Sequence, residues 1–179
     1  MRVIAGEFRS RKILSVPGTE TRPTPDRVRE SLFNILQTEL DGTVFIDAYA
    51  GTGAVGIEAL SRGARHVILI EKSRDAAAII QQNLTTLKAQ YRTRVILGNV
   101  ATNLAKLDAD IVFLDPPYDK EREYQAAFDA LEGKQPKLLI VQHARRFAPP
   151  AFCGKLKLAR VVTQGDNSLS FYRAPESLG

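Results

Sequence analysis

Apolar residues follow three different rhythms along this chain. Val28, Leu32, Ile35, Leu36 and Leu40 stand three and four residues apart and form one helical stripe. Thr24 suits the N-cap, Pro25 the first helical position, and Gly42 the stop. Before that stripe, VIAGEF and KILSVP flank a polar turn, which predicts an N-terminal β-hairpin. After Gly42 the apolar residues come in short continuous runs: VFIDAY (44–49), HVILIEK (66–72), RVILGN (94–99), DIVFLD (110–115) and KLLIVQHA (137–144). Helical segments separate them: AVGIEALSRG, SRDAAAIIQQNLTTLKAQ, a short one near Leu104, and DKEREYQAAFDALEG. Continuous apolar strands between helices predict a parallel sheet covered on both faces. LKLARVVT and LSFYRA close the chain with only GDNS between them. That is too short for a parallel crossover, so they form an antiparallel hairpin.

Composition narrows the class only a little. The 179 residues are enough for one domain with a sizeable core, and 44% hydrophobic with 25% charged is ordinary for a soluble protein. No run approaches membrane-spanning length, and MRVIAGEFRSRK lacks the apolar centre of a signal peptide. Cys153 is the single cysteine, with no disulfide partner and no metal-ligand spacing around it. A cytoplasmic protein without a metal is expected. The net charge of +5 is compatible with nucleic acid without requiring it. Arg2, Arg9, Arg11 and Lys12 face only Glu7 in the opening segment, Arg22, Arg27 and Arg29 follow, and Arg145 and Arg146 come after His143.

DAYAGTGAVG (47–56) joins the first continuous strand to its helix. Gly51, Gly53 and Gly56 spell G-x-G-x-x-G, a weak signal alone, since a βα turn often needs glycine. Two carboxylates sharpen it. Glu71 ends the next strand, where it can accept from ribose hydroxyls. Asp47 ends the first strand and would repel a pyrophosphate in a low-dielectric cleft. S-adenosylmethionine has no phosphate and carries an ammonium and a sulfonium, so Asp47 with Glu71 favours it over NAD.

The fourth strand ends in Asp115, Pro116, Pro117 and Tyr118. Its carboxyl end belongs to the same sheet edge as Asp47, where ligands of open α/β sheets bind. The prolines have fixed φ and no N–H, leaving rigid carbonyls. Asp115 and the Pro116 carbonyl suit the two N–H groups of an exocyclic amine, and Tyr118 offers a stacking face for the base. Methylation of a nucleobase amine fits this set, with rate coming mostly from positioning. A base inside a helix would first be flipped out.

These motifs resemble the class I S-adenosylmethionine-dependent methyltransferases, and within them the RsmD-type family, which methylates N2 of a guanine in 16S ribosomal RNA. RPTPDRVRESLFNIL (22–36) resembles that family's RPTxDRxRExLFN segment, DAYAGTGAVGIEALSRGA (47–64) its DLFAGSGALGLEALSRGA, and LDPPY (114–118) and LSFYR (169–173) also fit. The resemblance implies a Rossmann-like class I methyltransferase fold: a mostly parallel seven-stranded sheet, a C-terminal antiparallel hairpin and an N-terminal β-hairpin extension. Residues 1–21 would be the extension and 22–179 one compact methyltransferase unit. It implies that Thr24, Asp47, Ala50, Gly51, Gly53, Glu71, Lys72, Asn99, Val100 and Asp115 hold the cofactor, which leaves as S-adenosylhomocysteine. Asp115, Pro116, Pro117 and Tyr118 would form the acceptor site, and Arg9, Arg11, Lys12, Arg22, Arg27 and Arg29 would meet the RNA. The expected partner is 16S ribosomal RNA, free or in the assembled small subunit, with the protein acting as a monomer. Tyr49 and Tyr118 stand where the family more often has Phe, and Asn99 where many class I enzymes carry Asp.

Three other functions share these features. An adenine-N6 methyltransferase on DNA or RNA uses the same acceptor chemistry, but on duplex DNA it usually needs a target-recognition domain for which this chain has no spare length. An NAD-binding domain would need a hydride-transfer constellation that neither His66 nor His143 supplies. A non-catalytic RNA-binding module would not need the glycine loop together with DPPY.

Overall fold

The computed structural model describes residues 1–17 and 25–175. Thr24 and Arg22 lie outside the described residues, so their expected roles have no structural counterpart. The first helix, α1 (Asp26–Leu36), buries Val28, Leu32, Phe33 and Leu36. It stops before the predicted Gly42, and Leu40 reaches the core from the turn beyond it.

Strands and helices then alternate: β1 (Val44–Ala48), α2 (Ala54–Ser61), β2 (His66–Glu71), α3 (Arg74–Thr86), β3 (Thr93–Leu97), α4 (Val100–Leu104), β4 (Ile111–Leu114), α5 (Glu121–Leu131) and β5 (Leu138–Ala144). Three strands follow: β6 (Phe152–Cys153), β7 (Leu156–Gln164) and β8 (Asn167–Arg173). The sheet order is β3-β2-β1-β4-β5-β8-β7-β6. β1 to β5 are parallel, β8 is antiparallel to β5, and β7 is antiparallel to β8. The seven expected strands are present, and the two-residue β6 adds an eighth at the edge. Gln164 pairs with Asn167, so Gly165 and Asp166 alone make the hairpin turn.

Order reverses between β1 and β4, and this is the switch point where such sheets bind ligands. An all-parallel dinucleotide fold continues past β5 with parallel strands; here an antiparallel β8 occupies that place. One core, with Phe33, Phe45, Ile80 and Phe113, lies on the α1–α3 face; the other, with Ile46, Leu104, Val112 and Tyr124, lies under α4 and α5.

The N-terminal segment is looser than its alternation predicts. It doubles back with one antiparallel bridge, Arg2 to Lys12, and no extended ladder. Three of its N–H groups find side chains of α2. Ile4 and Ala5 donate to the two oxygens of Glu58 at 2.9 and 3.0 Å, and Phe8 donates to Ser61 Oγ at 2.9 Å. Val3, Phe8 and Ile13 are buried in the same core as α1 and α2.

Candidate active site

Residues 48–53 turn sharply from β1 to α2. Tyr49 has φ 63°, unusual for a side chain of its size, and Gly51 has φ 59°. A Cβ on Gly51 would meet nothing within 4 Å, so this glycine serves the turn and leaves its surface open to a ligand. Gly53, also left-handed, is the N-cap of α2, and Ala50 is buried beside it. Gly56 is different. A Cβ there would come within 2.9 Å of Leu69 Cδ2 and 3.1 Å of Asp47 Oδ2. Gly56→Ala is therefore expected to destabilise the protein by about 1–3 kcal/mol through overpacking, read from urea unfolding midpoints.

Asp47 is almost fully buried, and its Oδ2 accepts from Gly56 N–H at 2.8 Å. Burial pushes its carboxyl well above the usual range; the Gly56 bond opposes this, and the charges of Asp115 and Glu71 add to it. Glu71 is also raised by burial, against hydrogen bonds from the N–H groups of Lys72, Ser73 and Gly51. Three carboxylates from β1, β2 and the end of β4 thus crowd one crevice.

Asn99 is exposed and caps α4, its Oδ1 accepting from Thr102 N–H at 2.9 Å. One lone pair of that oxygen is thereby used by the helix, and the amide N–H₂ stays available to a cofactor. Val100, the first residue of α4, is buried. Lys72 lies just past the end of β2 and is exposed.

Asp115 is half-buried and its N–H reaches Ala48 O at 3.4 Å, which ties the ends of β4 and β1 together. Pro116 is buried and Pro117 exposed. The Pro116 carbonyl takes a long contact, 3.5 Å, from the hydroxyl of Tyr124 on α5, which leaves its second lone pair for a substrate N–H. The hydroxyl of Tyr118 donates to Asn167 Oδ1 at 2.5 Å and accepts from Gln142 Nε2 at 3.2 Å.

The expected RNA contacts divide. Arg9, Arg11, Lys12 and Arg27 are exposed, with Arg11 donating to Thr86 O at 3.1 Å. Arg29 is not on the surface. It is 0% exposed, donates to Arg2 O at 2.8 Å and Asp26 Oδ1 at 3.0 Å, and lies 3.9 Å from Glu58 Oε1. Its expected RNA contact is corrected: the guanidinium is sealed under the N-terminal segment by a carboxylate that the sequence places inside an apolar helix. His143 is likewise internal. Its Nδ1 lies 2.8 Å from Ala144 O and its Nε2 2.7 Å from Ser170 Oγ.

Sequence reasoning missed several supporting residues. Asn83, buried on α3, donates to Thr52 O in the glycine loop at 3.2 Å and to Leu14 O at 3.1 Å. Tyr49 places its hydroxyl 3.1 Å from Glu123 Oε2, pinning the loop to α5. Gln142 and Asn167 hold Tyr118. Their amides gave no signal because the partners are 24 and 49 residues away in the chain.

Comparison with known proteins agrees with this geometry. The family model described as "Conserved hypothetical protein 95" matches residues 1–173. A Bacillus subtilis protein named "Putative rRNA methyltransferase YlbH" is 35% identical, the alignment covering 97% of this chain and 98% of that protein. The Escherichia coli protein named "Ribosomal RNA small subunit methyltransferase D" is 42% identical over 120 residues, which are 66% of this chain and 60% of that protein. A solved structure described as "Putative methyltransferase yhhF from Escherichia coli" superposes with a TM-score of 0.83 at 36% identity, covering 98% of this chain and 99% of the other. The match runs from the N-terminal segment through Arg173, the last residue of β8, and the chain belongs to the "Conserved hypothetical protein 95" family, that of the RsmD-type methyltransferases.

Proposed function

We propose that this protein methylates the exocyclic N2 amine of a guanine in 16S ribosomal RNA, using S-adenosylmethionine. The observation that carries the reading is the convergence of Asp47, Glu71 and Asp115 at the switch point, with Pro116 to Tyr118 rigid beside them. The names of the relatives supply the class of RNA. Among the described residues, no helix is long and apolar enough to cross a membrane, in keeping with the cytoplasmic location such a substrate requires.

The residues fit the cofactor. A crevice in which the charges of Asp115 and Glu71 raise the proton affinity of buried Asp47 favours a cationic ligand and disfavours a phosphate. Bound S-adenosylmethionine supplies a methyl group on a positively charged sulfur. Asp47 presents negative charge to the cationic end, and Glu71 accepts from the ribose hydroxyls. Gly51 lets the backbone approach closely, and the Asn99 amide offers donors to the adenine edge. Asp115 and the Pro116 carbonyl accept the two N–H groups of the target amine, turning its lone pair toward the methyl carbon. Tyr118 stacks on the base. Asp115 is the nearest candidate to take the proton that the nitrogen loses, because it already accepts from that nitrogen.

Transfer of labelled methyl groups to undermodified small-subunit particles, naked ribosomal RNA and duplex DNA, with nucleosides identified by mass, tests the reading. N2-methylguanosine is the expected product. Label in adenine would remove the guanine assignment, and no label in any RNA would remove the substrate class.

Asp47 also links function to stability. Burial makes the ligand-free fold keep the Asp47 proton to a higher pH than the unfolded chain, which releases it near the ordinary carboxylate value of 3.8. Raising the pH from there through the higher folded value therefore costs stability. Asp47→Asn keeps an acceptor for Gly56 N–H and escapes this cost. It is expected to melt at a higher temperature than wild type at neutral pH without ligand, while binding S-adenosylmethionine roughly tenfold or more weakly, the order of one charge-assisted contact. Thermal scans and titration calorimetry check both halves.

A further inference from the structure

The acceptor tyrosine is held by more than its two prolines. Gln142 lies on β5 and Asn167 opens β8, and the β5–β8 register sets Gln142 opposite Leu169 and Ala144 opposite Asn167. Both amides reach the Tyr118 hydroxyl from there. Gln142 is 2% exposed, and among the described residues its buried Oε1 has no hydrogen-bond partner. An orphaned acceptor of this kind is costly and calls for a reason. The hydroxyl has one proton, which Asn167 Oδ1 accepts, and its oxygen accepts the Gln142 N–H, so the bonds run from the Gln142 amide through the Tyr118 hydroxyl to the Asn167 carbonyl. Beside them Gln164, paired with Asn167 across the turn, donates to Ser31 of α1.

We propose that Gln142 and Asn167 are positioning residues that clamp the Tyr118 hydroxyl and so fix its ring as a stacking platform for the acceptor base. This rests on the reading of Asp115 to Tyr118 as the acceptor site. Neither amide touches the base; both act through the tyrosine.

The test measures steady-state methyl transfer to small-subunit particles by Asn167→Ala, Asn167→Asp and Gln142→Glu, with Asn167→Ala also combined with Tyr118→Phe. Asn167→Ala is expected to lower kcat/KM for RNA about tenfold, the order of one impaired base stack, with the KM for S-adenosylmethionine unchanged. Asn167→Asp keeps an acceptor and retains most activity. In the Tyr118→Phe background Asn167→Ala has no further effect, because there is no hydroxyl to hold. Gln142→Glu is impaired at alkaline pH, where a carboxylate cannot donate, and recovers toward wild type as the pH falls and the carboxyl regains a donor. An active wild type with Asn167→Ala unaffected, or with losses that add to those of Tyr118→Phe, overturns the clamp alone. A wild type that transfers no methyl group overturns the acceptor site and the clamp with it.

Discussion

Asp115→Ala is expected to lower the rate of methyl transfer by about 10²–10⁴-fold, the range associated with a positioned proton acceptor. An exocyclic amine shares its lone pair with the ring, and only a pair of acceptors on its two N–H groups turns that lone pair out of plane. Asp115 supplies one of them from the end of β4, held to β1 through Ala48. Loss of its charge also relieves Asp47, whose proton affinity the Asp115 charge raises. Binding of S-adenosylmethionine should therefore survive while turnover falls. Asp115→Asn separates the two duties, because its carbonyl still accepts an N–H but cannot take a proton. Single-turnover rates with calorimetric binding check this. A variant that binds the cofactor and keeps the wild-type rate would place the acceptor chemistry elsewhere.

Glu58→Ala is expected to cost roughly 3–5 kcal/mol of stability, the range for removing one partner of a buried ion pair. Glu58 is 0% exposed and is shared among Ile4 N–H, Ala5 N–H, the Arg62 Nε at 2.9 Å and the Arg29 Nε at 3.9 Å. Its loss leaves the N–H groups of Ile4 and Ala5 without their acceptor and leaves buried Arg29 with the exposed Asp26 as counter-charge. Among the described residues, Arg29 Nε and Nη1 have no hydrogen-bond partner, and Glu58 is the buried carboxylate beside them. For a chain of this length the thermal midpoint should fall by on the order of 10 °C. Urea unfolding gives the free energy directly. A change below about 1 kcal/mol, the value of an exposed pair, would mean that water reaches the cluster.

The parallel half of the sheet was legible because its strands are continuous apolar runs and its turns carry glycine and proline. The three carboxylates were legible for a related reason: an acidic residue at the end of an apolar run marks the sheet edge that faces ligands. What escaped is long-range. VIAGEF alternates like a strand, but its N–H groups are answered by Glu58 and Ser61, more than fifty residues on. Arg29 reads as a surface charge until Glu58 is seen beneath it. Asn99 reads as an adenine contact, whereas its spacing to Thr102 also fits a helix cap, and its oxygen accepts the Thr102 N–H. Local pattern reports on neighbours in the chain; side-chain acceptors for distant backbone donors leave no such trace.

The placement of β8 between β5 and β7 has a consequence for the order of assembly. Spatial order and synthesis order diverge at this point. A chain extended only through β7 has β5 as a bare edge, with Leu139, Ile140 and Val141 along it and their backbone groups unpaired on that side. Asn167, which holds Tyr118, arrives with the same late strand. The crevice between β1 and β4 needs none of β8, so its walls come together earlier. The walls of the crevice thus belong to chain made earlier than the strand that orients Tyr118.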